Sequence, residues 1–286
     1  MSFIALMSFK LKLRTAALSF VLTLGVNSLA STAYAGSFDA FFGEQDGLFA
    51  ISAQRDDTFL DVGVAYINRP TYVGSGETEN QILPYARGDY KGRLFVNAAT
   101  GAGVYWRNTD NIRVSTSVNW AVGRGDDETP FLGEQGEVDG SVTIVNAVRF
   151  YLPFAALDAI SSIPVTGDYD GASLDTLLTT EFLPFEGLRI TPGVRASFGT
   201  SGWINTLYGV EEDALAAANI VDIDPFEADS GLLALGVHAA AYYQLPNDFE
   251  LIGIVNYSLL QDDAKDSPLS PDNDGFTVSL AIAKHF

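Results

Sequence analysis

The chain has 286 residues, no cysteine, two histidines, and 36 Asp and Glu against 16 Lys and Arg, a formal charge of −20. So acidic a chain repels nucleic acid, which excludes that class of partner, and it gains nothing from anionic lipid headgroups. With no disulfide available, stability must come from one large cooperative structure; 47% hydrophobic residues without a helix-length apolar run beyond the N-terminus point to hydrophobicity dispersed by alternation.

The first segment carries Lys10, Lys12 and Arg14, then an apolar run from Ala16 to Val26, then small residues ending in Ala33-Tyr34-Ala35. A basic patch, a short apolar run and an A-x-A site in that order predict a signal peptide over residues 1–35, cleaved after Ala35. The run falls short of the roughly 20 apolar residues that a membrane anchor needs. Cleavage removes three basic residues and no acidic one, so the mature chain from Gly36 has 251 residues and a charge of −23. Residues 36–57 read as a periplasmic lead, with Leu48–Gln54 as an extra strand in the alternative.

From residue 58 onward, strands are predicted over 58–67, 81–90, 93–99, 102–108, 111–122, 141–152, 156–166, 171–183, 188–200, 231–245, 249–260 and 275–286. The total is about twelve, or ten if Ala98–Gly103 bends one long strand rather than turning between two. Between Asn111 and Val122, Ile112, Val114, Val118, Trp120 and Val122 oppose Arg113, Ser115, Ser117 and Asn119. In the next strand Val142, Ile144, Val148, Phe150 and Leu152 oppose Thr143, Arg149 and Tyr151. Leu188–Gly199 is the cleanest case, with Leu188, Ile190, Pro192, Val194, Ala196 and Phe198 on one face and Arg189, Thr191, Gly193, Arg195 and Ser197 on the other. Farther on, Leu233, Leu235, Val237, Ala239 and Tyr243 oppose Gly236, His238 and Gln244.

Soluble sandwich strands run to about five or six residues. These periodic segments reach ten or twelve, the length that crosses a bilayer at a tilt. The connections alternate between tight ones, Asn108-Thr109-Asp110, Pro184-Phe185-Glu186-Gly187 and Pro246-Asn247-Asp248, and long acidic ones, Gly123–Asp139, Thr200–Ser230 and Gln261–Asp274. Short periplasmic turns and long outer loops define an all-β chain: a transmembrane antiparallel up-and-down β-barrel over 58–286, with outer-membrane lipid and lipopolysaccharide as its surroundings. The last strand sets Phe276, Val278, Leu280 and Ile282 on one face and ends on Phe286. It resembles the C-terminal signal of assembled barrels but carries Lys284 where a hydrophobic residue is usual.

No residue set qualifies as catalytic, cofactor-binding or metal-binding. An envelope hydrolase needs a base beside a nucleophile or second carboxylate. His285 sits in the last strand and His238 faces the lumen alone, so lumen packing is the expected role of His238. Asp272-Asn273-Asp274-Gly275 and Asp168-Tyr169-Asp170-Gly171 lack the distal Glu of a calcium loop and precede strands, as Asx-Gly turns do. The acidic outer loops suit loose divalent binding beside lipopolysaccharide. Gly74-Ser75-Gly76 and Gly199-Thr200-Ser201-Gly202 are expected to be loop punctuation that leads into no amphipathic helix, and Asp213–Asn219 a helical turn over the mouth. Arg113, Arg149, Arg189 and Arg195, with Asp175, Glu181 and Glu250, project to the polar face as an interior ion-pair network; ion selection in a small channel is the alternative.

Across the mature chain the sequence resembles the MipA/OmpV family of outer-membrane barrels, whose name-giving member is the MltA-interacting protein. The resemblance runs through Pro70-x-Tyr72-x-Gly74-Ser75, Leu83-Pro84, Asp89-Tyr90, Gly92-Arg93-Leu94-Phe95, Gly123-Arg124, Gly136-Glu137-Val138-Asp139-Gly140, Tyr208-Gly209-Val210 and Asp266-Ser267-Pro268. It departs at Gly76, where the family usually has an acidic residue, and at the final aromatic pair, reduced here to Phe286. The resemblance implies a barrel without catalytic residues or cofactors, acting as a scaffold that links a lytic transglycosylase and a bifunctional penicillin-binding protein. The periplasmic turns and the lead Ser37–Gly47 are the expected contact points. A small channel or a stress-response porin-like role is the alternative.

Overall fold

The computed structural model describes residues 58–97, 100–121, 123–125 and 131–286. The predicted signal peptide, the predicted lead and the alternative strand Leu48–Gln54 lie outside them. Thirteen strands form one antiparallel sheet: β1 Phe59–Pro70, β2 Thr78–Tyr90, β3 Leu94–Asn97, β4 Gly101–Asn108, β5 Ile112–Ala121, β6 Ser141–Tyr151, β7 Ala156–Pro164, β8 Ser173–Thr179, β9 Phe182–Phe185, β10 Leu188–Gly199, β11 Gly231–Leu245, β12 Phe249–Leu260 and β13 Asp274–His285. β8 pairs with Gly193–Gly199 and β9 with Leu188 and Ile190, so the two follow one another along β10 as one interrupted strand. β1 pairs with β13 from Asp61↔His285 to Asn68↔Val278, which closes a twelve-position barrel and leaves the wall no free end.

Alternation is why these segments became wall. In β10 Val194 and Phe198 are exposed outward while Ser197 and Thr191 are buried. Twelve residues make about 40 Å of ribbon, which at a tilt of about 40° climbs about 30 Å, the height of a hydrocarbon core. Outward aromatic residues gather at two levels. Tyr90, Phe150, Tyr243 and Phe249 stand near the short turns, and Tyr66, Trp120, Phe198 and Phe276 near the long loops. Lys284, the departure from the C-terminal pattern, lies at the short-turn level, where its Nζ donates to Asn247 O at 2.9 Å and sits 4.8 Å from the Phe249 ring centre.

The chain reverses between β3 and β4 as two strands rather than one bent one, since Leu94–Asn97 pairs back on Gly101–Val104. Both strands of this hairpin are short, and pairing of β2 with β3 runs only from Arg87 to Tyr90. One predicted side-chain direction is corrected. The register of β10 and β11 shifts between Ser197↔Ala234 and Phe198↔Leu232, and this bulge leaves Leu233 buried rather than on the lipid face.

The long connections are folded. The hairpin of β5 and β6 continues through an Arg124↔Val138 bridge, and the others hold three short helices, α1 Ser201–Tyr208, α2 Glu212–Ala217 and α3 Asp262–Asp266. The Gly199–Gly202 stretch is therefore not mere punctuation. Thr200 caps α1, its hydroxyl accepting from the Trp203 N–H, and the side of α1 bearing Trp203, Ile204, Leu207 and Tyr208 is buried.

Candidate functional site

Two layers fill the ends of the barrel interior. The first lies near the short turns, where inward positions within three residues of the strand ends bear charge. Arg149 and Asp158 stand opposite each other on β6 and β7; Nε meets Oδ1 at 2.6 Å and the second guanidinium nitrogen meets Oδ2 at 2.9 Å. Arg87 and Asp61 are likewise opposite on β2 and β1, joined at 2.5 Å, and Arg87 reaches Glu250 at 3.4 Å. Gln244 donates to Glu250 at 2.6 Å, and His285 Nδ1 lies 2.7 Å from Asp61 Oδ1. Arg189 approaches Glu181 at 3.9 Å and stacks 4.4 Å from the Tyr242 ring centre. Arg113 lies against the rings of Tyr105 and Tyr151 and donates to Asn108 at 3.3 Å.

Higher in the wall, Arg195 meets Asp175 at 2.6 Å, and Ser197 donates to the same carboxylate oxygen at 2.5 Å. Every charged residue expected in the lumen is thus held in a contact. Asp61, Arg87 and Asp158 were missed because alternation tells which face a residue occupies and not which residue stands across from it. A four-residue connection between Tyr151 and Ala156 would have set Arg149 against Asp158. His238 is buried with Nδ1 2.6 Å from Asn256 Oδ1, and among the described residues no carboxylate or nucleophile hydrogen-bonds to its ring.

The second layer closes the long-loop mouth. Tyr72 and Val73 from the first loop, Val138, Tyr169, the buried face of α1, Ala228, Leu233 and Leu260 form one apolar cluster. Leu132, Val210, Leu215 and Leu269 form another beside it. Polar clamps lock the layer: the Tyr72 hydroxyl donates to Leu269 O at 2.6 Å, and Asn205 makes two hydrogen bonds to the backbone of Ala228. Buried Arg124 donates from Nε to Gly136 O at 3.0 Å and from a terminal nitrogen to Leu207 O at 2.6 Å, with its guanidinium 5.3 Å from the Tyr72 ring centre. A cation on the last carbonyls of α1 satisfies acceptors the helix itself cannot and complements its dipole. Burial pushes the Tyr169 phenol above its ordinary pKa, against the opposing pull of Arg124.

Asp168 and Asp170 serve the loops, accepting from the backbone N–H groups of Asp139 and Gly171; Asp274 accepts from the Tyr257 hydroxyl. Among the described residues no group of three or more His, Asp or Glu side chains is placed to hold a metal ion.

A closed twelve-position antiparallel barrel with lipid-height strands, paired aromatic levels and short turns opposite long loops defines an outer-membrane-type β-barrel. The family model described as MltA-interacting protein MipA matches residues 62–286, and the chain belongs to that family. Similar solved structures include an outer-membrane channel from Pseudomonas putida F1 (9% identity, 82% of this chain and 98% of that one, TM-score 0.40). A Pseudomonas aeruginosa FadL homologue is similar at 8% identity over 80% of this chain and 90% of its own, TM-score 0.38. The NanC porin is similar at 9% over 79% and 98%, TM-score 0.34. No curated protein matches the chain.

Proposed function

We propose that this chain is a non-catalytic outer-membrane scaffold, exported by a signal peptide cleaved after Ala35, whose periplasmic end holds cell-wall enzymes in place. The observation that carries this reading is the way the interior is spent. Charges near the short turns bind one another, and the mouth is packed with apolar side chains, which favours a surface over a passage as the working part. At the short-turn rim Phe154 is 84% exposed, and Phe182, Leu183 and Phe185 stand out beside it. An exposed aromatic group at a rim is a surface on which a partner can bury area. The family's description as interacting with MltA supports a lytic transglycosylase as the partner, and a penicillin-binding protein follows from the resemblance.

The test is capture from solubilised envelopes with the folded mature barrel as bait, beside a Phe154→Ser/Phe185→Ser variant and a variant lacking Ser37–Gly47. The expected result is recovery of a lytic transglycosylase that falls several-fold in at least one variant. Equal recovery with all three baits, or recovery of no cell-wall enzyme, would remove the scaffold reading. Steady single-channel conductance of the native barrel in a planar bilayer would favour the channel instead.

A further inference from the structure

Among the described residues, a cluster of polar side chains interrupts the lipid-facing side of β5 to β8. Asn146 points outward from the middle of β6: its strand neighbours Arg149 and Val145 are buried inside, while Phe150 and Val148 face out. Phe150, four residues toward the short turns, belongs to one aromatic level, and Val142, four residues the other way, pairs with Trp120 of the opposite level. Four residues span about 13 Å of strand, so Asn146 lies midway between the levels, at the centre of the hydrocarbon. Thr116 stands directly across from it on β5 and Ser161 across from it on β7.

The group is only partly satisfied. Trp106 Nε1 donates to the Thr116 hydroxyl, which donates to Asn146 Oδ1, both at 2.9 Å. The Asn146 amide nitrogen and the Ser161 hydroxyl have no hydrogen-bond partner among the described residues. Hydrocarbon offers none either, and an unpaired polar group there costs several kcal/mol. Thr176 on β8 also faces out, but its hydroxyl donates to Ala196 O at 3.1 Å, and on other strands the outward residues include Val64, Val194, Val255 and Leu280.

We propose that the outward face of β5 to β8 is the interface of a homodimer in the membrane, with the Asn146 side chains of two copies meeting across a two-fold axis. A carboxamide both donates and accepts, so two of them pair reciprocally, each supplying the acceptor for the other's free N–H. A second copy is the partner certain to bring this complement at the same depth and in the same orientation. Ala159 on β7 and Ala196 on β10 flank the group and allow close approach of the two walls, as small residues do in membrane interfaces.

The absence of cysteine makes the test clean. Asn146→Cys is compared with Val255→Cys, an outward control on β12, by mild oxidation in native outer membranes. The dimer predicts a disulfide-linked band at about twice the monomer mass for Asn146→Cys only. Asn146→Leu should weaken dimerisation of the purified barrel about tenfold by light scattering, while the barrel keeps its heat-modifiable mobility. No doubled band with Asn146→Cys, equal bands from both cysteines, or a band of another mass that shows a different membrane protein would each overturn the proposal.

Discussion

Removing one half of the Arg149–Asp158 pair is the sharpest perturbation of the filled interior. Both side chains are buried, 4% and 3% exposed, and the guanidinium spans both carboxylate oxygens. Asp158→Leu leaves a buried cation without its counter-charge, a change that costs about 3–5 kcal/mol. Replacing both residues, Arg149→Met with Asp158→Leu, removes the charges together and should recover most of that loss, since buried pairs give back in attraction roughly what desolvation takes. The asymmetry is therefore the prediction: the single variant is much weaker than the double. Urea unfolding of the barrel in lipid vesicles, followed by tryptophan fluorescence and by heat-modifiable mobility, measures it. A single variant within about 1 kcal/mol of the native barrel would refute the reasoning, because it would place the pair in contact with lumen water.

Three other outcomes follow from particular contacts. Arg124→Gln loses charge-assisted hydrogen bonds to Gly136 O and Leu207 O and should loosen the mouth by about 2 kcal/mol, read as faster protease cleavage between residues 200 and 230 with the barrel still folded. Gly63→Val should prevent closure, since a Cβ at that position would collide with Ile282 O on the partner strand; loss of the folded gel band with intact export is the expected readout. His238→Ala should leave every envelope hydrolase activity unchanged, and a lost activity would assign the lumen a catalytic role.

The wall was legible in the sequence because alternation is a property of single strands, and closed barrels use it on nearly every one. Less legible were features that depend on a neighbour. The break at Thr180 and Glu181 separates β8 from β9, and Glu181 turns its buried carboxylate toward Arg189 across the next strand. The Leu233 bulge depends on the register of β10 against β11. Helix α1 was hidden because its eight residues begin inside a Gly-Thr-Ser-Gly run and gain their order from packing in the mouth. The membrane-facing polar group had left a trace: the apolar series through β5 and β6 skips Thr116 and Asn146, the two positions where the alternation gives out.

The two sides of the barrel solve different problems. On β11, β12, β13, β1 and β2 the inward residues include Ala65, Ile67, Ala240, Ile252, Ile254 and Ala281, interrupted by Ser279, Thr277, Asn256 and His238, so part of that wall is apolar on both faces. The outward residues there, such as Val64, Val255 and Leu280, are apolar too. Where inward and outward residues are alike, the register is specified weakly, because a one-residue slip exchanges like for like. The closing pair of β1 and β13 runs through this wall, and its register is pinned by features that a slip would break. Leu60 and Phe286 exchange two backbone hydrogen bonds, Asp61 holds His285, and Gly63 admits the backbone of Ile282. On β5 to β8 the inward side is polar at Ser115, Ser117, Thr143 and Asp175, and register follows from the charge pairs and side-chain bonds. The charged ends of the lumen thus do more than fill space: they fix the alignment that a purely hydrophobic alternation leaves free.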